Sequence, residues 1–251
     1  MRRFSLFALF WLAILSLFTH YAHCATLQVA PVMLNLTASQ RAGALYLTNT
    51  GDQAIHAQIR VYDWTQSSGK DVLTLTNEIV SSPAVTSLAP GQRQLVRIVV
   101  LNPVAHPQEQ SFRLLVDELP RDHLNALSQN GVHFLLRYSI PLFIAPQEPT
   151  KVDETAQLSC QQENQDVWCQ NTGNSHIRMS NVQAIADNGQ VVDTLSGLAG
   201  YVLPGKQFAL PFKRSHRDSL SSLRAYLNEH TQASQLSVHP AAVVNRNAAP
   251  R

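Results

Sequence analysis

Hydrophobic positions along this chain alternate far more often than they recur at helical spacing. Leu45-Tyr46-Leu47-Thr48, Ala57 to Tyr62, Leu95 to Leu101 and Phe112 to Leu119 are short β-branched or aromatic-rich runs separated by Gly, Pro, Asn and Asp, the pattern of strands closed by turns. The spacing predicts an all-β protein of sandwich type. The longest run is Gly131 to Phe143, with bulky residues at Val132, Phe134, Leu136, Tyr138 and Ile140, ending at Pro141 and a proline-rich hinge. A strand this apolar on one face, leading out of a domain, either completes its own sheet or lends its side chains to another protein by strand addition. One segment departs from alternation: Leu220 to Leu227, within Ser215 to His230, has the modest periodicity of a short helix.

A weak internal repeat divides the chain. Leu47-Thr48-Asn49-Thr50-Gly51 is followed by Leu88-Ala89-Pro90-Gly91, and Cys169-Gln170-Asn171-Thr172-Gly173 by Val202-Leu203-Pro204-Gly205. In each half an Asn-Thr-Gly turn ends one strand and a Pro-Gly turn later launches another. Two similar sandwich domains are expected, with a boundary near Ala145 to Thr155. The linker Ala145-Pro146-Gln147-Glu148-Pro149-Thr150 is stiffened by two prolines and should hold the domains at a fairly fixed angle.

The N-terminus begins Arg2-Arg3, continues through an apolar run from Phe4 to Phe18 and reaches Ala22-His23-Cys24-Ala25. This reads as a secretory signal peptide over residues 1–24, removed on export. Lipidation of Cys24 is the weaker reading, because Tyr21 and His23 suit a lipoprotein site poorly. The expected organisation is therefore a first domain over 25–145, a second over 146–239 and a small, polar, disordered tail over 240–251. No later segment approaches the ~20 apolar residues of a membrane span, so no membrane insertion is expected.

The net charge of +2, from 19 Lys and Arg against 17 Asp and Glu, derives from the signal: without Arg2 and Arg3 the count is 17 to 17. That balance leaves no nucleic-acid footprint. Losing Cys24 leaves Cys160 and Cys169, symmetric about Asn164-Gln165 in the polar turn Glu163-Asn164-Gln165-Asp166. In an oxidising compartment a disulfide across a two-stranded hairpin is expected; a pair of buried free thiols is the alternative. The scattered histidines show neither i, i+4 pairing nor Cys/His zinc spacing, and no nucleophile elbow, phosphate loop or dinucleotide fingerprint occurs. Neither a cofactor, a metal nor a catalytic residue is expected.

Taken in order, Leu47-Thr48-Asn49-Thr50-Gly51, Pro83, Leu88-Ala89-Pro90-Gly91, Val96-Arg97-Ile98, Phe112 to Pro120 with its Glu118-Leu119-Pro120 close, and Tyr138-Ser139-Ile140-Pro141-Leu142-Phe143 resemble the periplasmic pilus chaperones of the PapD type. Val202-Leu203-Pro204-Gly205 fits as well, so the resemblance spans the mature chain. Arg137 to Phe143 looks most like the archaic branch, whose members accompany spore-coat-U-like pilins. The resemblance implies two immunoglobulin-like sandwiches set at an angle, a periplasmic location, and pilus subunits and an outer-membrane usher as partners. It also implies that the strand Val132 to Ile140 fills the groove of a subunit lacking its last strand. Val132, Phe134, Leu136, Tyr138 and Ile140 are then the subunit-binding row, with an ordinary core strand as the alternative.

One departure stands out. The family's better-known members carry an arginine and a lysine that hold the subunit's C-terminal carboxylate, and those positions are Met33 and Pro141 here. Either the contact has moved or it is dispensed with. Arg113, inside the apolar run Phe112 to Val116, is the first candidate for a relocated contact and Arg137 the second, because a planar guanidinium can bind both carboxylate oxygens. The competing reading of the whole chain is a secreted sandwich adhesin or carbohydrate-binding module. An apolar edge strand also invites self-pairing of the free protein.

Overall fold

The computed structural model describes residues 27–104, 106–120, 134–149, 153–164, 166–212 and 219–240. The leader expected over 1–24 lies outside these residues, as do Val132 and tail residues 241–251. The described chain is almost entirely β.

Strands up to Ile144 build one sandwich. β1 (Leu27–Ala30), β3 (Ala42–Asn49), β8 (Arg93–Val100) and β6 (Ile79–Ser82) form a four-stranded sheet in the order β1-β3-β8-β6. The facing sheet runs β2 (Leu34–Leu36), β10 (Arg137–Ile144), β9 (Gln110–Leu119), β4 (Ile55–Ser67), β5 (Lys70–Leu75), with β7 (Val85–Leu88) also on β4. Alternate residues of both sheets, among them Leu45, Leu47, Ile59, Ile98, Leu114 and Leu142, interdigitate in one core. The strands from Leu158 build a second sandwich: β11 (Leu158–Glu163), β12 (Asp166–Asn171), β13 (Ile177–Ala186), β14 (Val191–Val202), β15 (Gln207–Ala209), β16 (Leu220–Leu227) and β17 (Ser234–Pro240). β17 pairs β16 along its first half and β11 at its end, so a single strand passes from one face to the other.

The internal repeat proves to be one device used twice. The Asn49 side chain is fully buried; its amide donates to the carbonyls of Gln53 (2.8 Å) and Leu88 (3.0 Å), and its oxygen accepts from Gly51 N (2.9 Å). Asn171 repeats this with Ser175 (2.7 Å), Val202 (2.9 Å) and Gly173 N (2.8 Å). Each asparagine thus ties its own turn to the residue two before the Pro-Gly turn. Gly91 and Gly205 complete those turns at φ of 72° and 67°, a region that favours glycine.

Cys160 and Cys169 face each other across the β11–β12 hairpin and are disulfide-bonded in the second core. Asn164, in the turn, takes a positive φ of 56°, as a tight hairpin turn requires.

Residues Leu220–Leu227, expected as helix, form a central strand bonded to β13 and β17. Leu223, Ala225 and Leu227 keep the period of two, while Leu220 pairs with Ala186 and Ser222 with Ile185, so Ser221 is an extra, bulged residue. Its hydroxyl donates to the carbonyls of Ile185 and Ala186. The bulge turned a strand spacing of two into one of three, which imitates a helical turn. Pro240, expected to begin the tail, still pairs with Gln162 at the end of β17.

β4 explains how the two sandwiches meet. Ile55, Ala57, Ile59 and Val61 point into the first core, but further along the same strand Trp64 and Gln66, on the opposite parity, are the buried residues. Trp64 and Phe143 of the first sandwich join Tyr201 and Leu203 of the second in a separate apolar cluster. The strand is long because it serves two interiors.

Candidate functional site

β10 is hydrogen-bonded to β9 along its whole length, whereas β2 covers its other side only at Leu142, Phe143 and Ile144. Among the described residues, the edge from Arg137 to Pro141 therefore carries no strand. Just before it, Phe134 is 82% exposed and Leu135 53% exposed. Leu136 is still tied to the sheet, its carbonyl accepting from Glu118 N at 2.9 Å. This is an apolar segment entering an open sheet edge, the geometry that strand addition uses.

The expected row is split along its length, exposed at Phe134 and turned inward from Leu136. Leu136 and Tyr138 pack against the first core, and Ile140, only 3% exposed, lies within it together with Leu142 and Ile144. Ile140 is therefore not available to a partner, and the alternation that was read as pointing outward points inward from Leu136 onward. The reason is that β10 continues with period two into core positions that the sandwich cannot leave empty. The opposite parity, Leu135, Arg137 and Ser139, is exposed. Tyr138 is further held by its hydroxyl, which donates to the carbonyl of Leu27 on β1.

The outer face of this sheet carries the charges. In cross-strand order, Arg137 stands opposite Asp117, Ser139 opposite Leu115 and Pro141 opposite Arg113, with Tyr62 on the far side of Arg113. Asp117, which the sequence did not single out as a site residue, is buried and accepts from Arg60 (2.6 Å) and from Arg137. Burial pushes its carboxyl up, but the bonds from Arg137 and Arg60 outweigh that and hold it below the ordinary carboxylate value. Arg137 is thus committed to Asp117. Its side chain is otherwise exposed.

Arg113 sits differently. Its guanidinium lies 3.7 Å from the ring centre of Trp64 and 5.4 Å from that of Tyr201, across the junction of the two sandwiches. The side chain is 13% exposed, and Asp71 approaches it only to 4.0 Å. Burial lowers its pKa, opposed by Asp71 and Tyr201, yet an arginine remains charged at any physiological pH. Burial likewise raises the Tyr201 phenol, opposed by Arg113 and Arg178. Met33 packs against the same aromatic cluster, and Pro141 is the cross-strand partner of Arg113. The two positions where the resemblance expected basic residues thus border the place that Arg113 occupies. No signal in the chain marked Trp64, Tyr201 and Asp71 as its surroundings, since their meeting depends on the packing of one sandwich on the other.

The far side of the junction is closed by His176. Its ring stacks on Phe143 at 3.6 Å and 10°, its Nδ1 lies 2.8 and 3.0 Å from the Glu109 carboxylate oxygens, and its backbone N donates to the same carboxylate. Trp64, which a carbohydrate-binding module would present on its surface, is 2% exposed in this junction. Among the described residues, no group of three His, Cys, Asp or Glu is placed to hold a metal ion.

Residues 26–150 match the family model described as pili and flagellar-assembly chaperone, PapD N-terminal domain. No curated protein matches the chain by sequence. Among solved structures, the complex of CsuC with the tip adhesion subunit CsuE, from archaic chaperone-usher Csu pili of Acinetobacter baumannii, matches at 25% identity. That match covers 87% of this chain and 100% of the other, with a TM-score of 0.64. The Pseudomonas aeruginosa CupB2 chaperone matches at 22% identity over 84% of this chain and 100% of its own, with a TM-score of 0.59. The SafB chaperone complex with the SafA pilin of Salmonella enterica matches at 14% identity over 86% and 97%, with a TM-score of 0.62. These last two share the fold. An all-β chain of two immunoglobulin-like sandwiches, matched by this family model across its first sandwich and by an archaic chaperone across both, belongs to the family of PapD-type pilus-assembly chaperones.

Proposed function

We propose that this protein is a non-enzymatic periplasmic chaperone that binds pilus subunits, keeps them folded by lending them a β-strand, and passes them to an outer-membrane usher. The observation that carries the strand-lending reading is the edge of β10 from Arg137 to Pro141, along which no strand pairs among the described residues, preceded by the exposed Phe134 and Leu135. A subunit strand laid along that edge gains backbone hydrogen bonds, and the apolar side chains before it fill the subunit's groove. Burying Phe134 and Leu135 supplies about 3–6 kcal/mol before ordering costs. Arg113, charged and nearly dry, with Asp71 at 4.0 Å as its carboxylate neighbour among the described residues, is the group we assign to the subunit's C-terminal carboxylate, in place of the basic residues missing at Met33 and Pro141. The same open edge offers the free chaperone a route to self-pairing.

The test is co-expression with archaic-type pilins, from which the wild-type protein should co-purify as a one-to-one complex. Phe134→Asp and Leu135→Asp should remain folded and lose the complex. Those positions are chosen over Leu136 and Ile140, whose replacement would damage the chaperone's own core. Undiminished complex with both variants would show that this segment is not the strand lent.

A further inference from the structure

The hairpin formed by β4 and β5 reaches out of the first sandwich to the second. Its turn, Ser68-Gly69, has φ of 50° and 72°, the two successive positive values of a tight hairpin. The Gly69 carbonyl accepts from Ala209 N at 3.1 Å, and a Cβ on Gly69 would fall 2.3 Å from the Trp168 ring. Three residues before Gly69 stands Gln66, 6% exposed. Its side-chain oxygen accepts from Leu203 N (3.0 Å), and its amide donates to the carbonyl of Tyr201 (2.7 Å) and to Asp71 Oδ1 (2.9 Å). The first two bonds reach the second sandwich at the strand that carries Tyr201. The third holds the carboxylate whose other oxygen approaches Arg113.

We propose that Gln66 is a positioning residue that couples the junction of the two sandwiches to the cleft arginine. Both of its amide hydrogens are used, one on each side of the junction, so the second sandwich cannot shift at Tyr201 without pulling on the group that steadies Asp71. Arg113 is held from two directions as a result: by the rings of Trp64 and Tyr201, and by Asp71 through Gln66. The three bonds of Gln66 do what a strand pairing would do, but from a side chain, which lets one residue tie backbone and carboxylate together. The coupling does not depend on what Arg113 binds.

The free protein tests it. Phenylglyoxal modifies accessible guanidinium groups, and peptide mass spectrometry reads its rate at Arg113, with the exposed Arg137 as internal control. Gln66→Leu keeps the volume and loses all three bonds. It should raise the Arg113 rate about fivefold or more relative to Arg137 and speed amide exchange at Leu203. Asp71→Asn keeps the bonds to the second sandwich while weakening the hold on Arg113. It should raise the Arg113 rate and leave Leu203 exchange unchanged. Asn174→Ala loosens the junction at its hinge end, where Asn174 Nδ2 donates to the Glu148 carbonyl at 2.8 Å, and should leave Arg113 within about twofold of wild type. An Arg113 rate that rises equally in Asn174→Ala and Gln66→Leu would reduce Gln66 to general interface support. An unchanged Arg113 rate in Asp71→Asn would break the link between Gln66 and Arg113, and this arm holds even if Gln66→Leu fails to fold.

Discussion

Replacing either buried asparagine by alanine tests whether the repeated turn clamp is a stability determinant of each sandwich. Asn49→Ala removes three hydrogen bonds and leaves the Leu88 carbonyl without its buried partner, while Gly51 and Gln53 lie where water can replace the lost bonds. With about 2 kcal/mol for the orphaned buried carbonyl and about 0.5 kcal/mol for each wetter partner, the cost is about 3 kcal/mol. Asn171→Ala should cost more, about 4–5 kcal/mol, because both the Val202 contact and the Gly173 contact are buried. For a sandwich of this size 3 kcal/mol corresponds to a fall of about 12–24 °C in melting temperature. Denaturant unfolding gives the totals. Hydrogen exchange resolved by peptide assigns them, with Leu45 and Ile98 reporting the first core and Val182 and Leu223 the second. Losses below about 1 kcal/mol in both variants, or a larger loss for Asn49→Ala than for Asn171→Ala, would refute the reasoning.

The carboxylate assignment is checked by a cycle. Amidating the C-terminus of a captured pilin should weaken its binding to the wild-type chaperone about tenfold or more and to Arg113→Gln hardly at all; equal weakening in both would place the carboxylate elsewhere. Asp117 gives a pH dependence with a defined sign. Its folded pKa lies below the unfolded value, so its contribution is present above the unfolded pKa near 4 and is lost as pH falls through the folded value. The stability gap between wild type and Asp117→Asn should accordingly be greatest near neutral pH and close in acid, and a gap that persisted unchanged in acid would show that Asp117 acts by shape alone.

Period-two alternation, the Asn-Thr-Gly and Pro-Gly turns, and the hairpin symmetry of Cys160 and Cys169 are local properties, and local backbone chemistry was enough to read the all-β class, the repeat and the disulfide from them. Alternation alone does not say which parity faces the core. Phe134 to Ile140 could be read in either sense until β10 was placed against β9, and Leu142 and Ile144 set the inward face. The bulge at Ser221 hid a strand for the same reason: the partner strand, distant in sequence, decides where a residue is extra.

The sequence by itself determined the all-β character and the turns, because turn residues and alternating apolar side chains act over a few neighbours. Tertiary structure alone decided the cleft. Arg113, Trp64, Tyr201, Asp71 and Gln66 come together only when one sandwich packs on the other, and a largely buried arginine is tolerable there only because aromatic faces and a carboxylate from separate elements surround it.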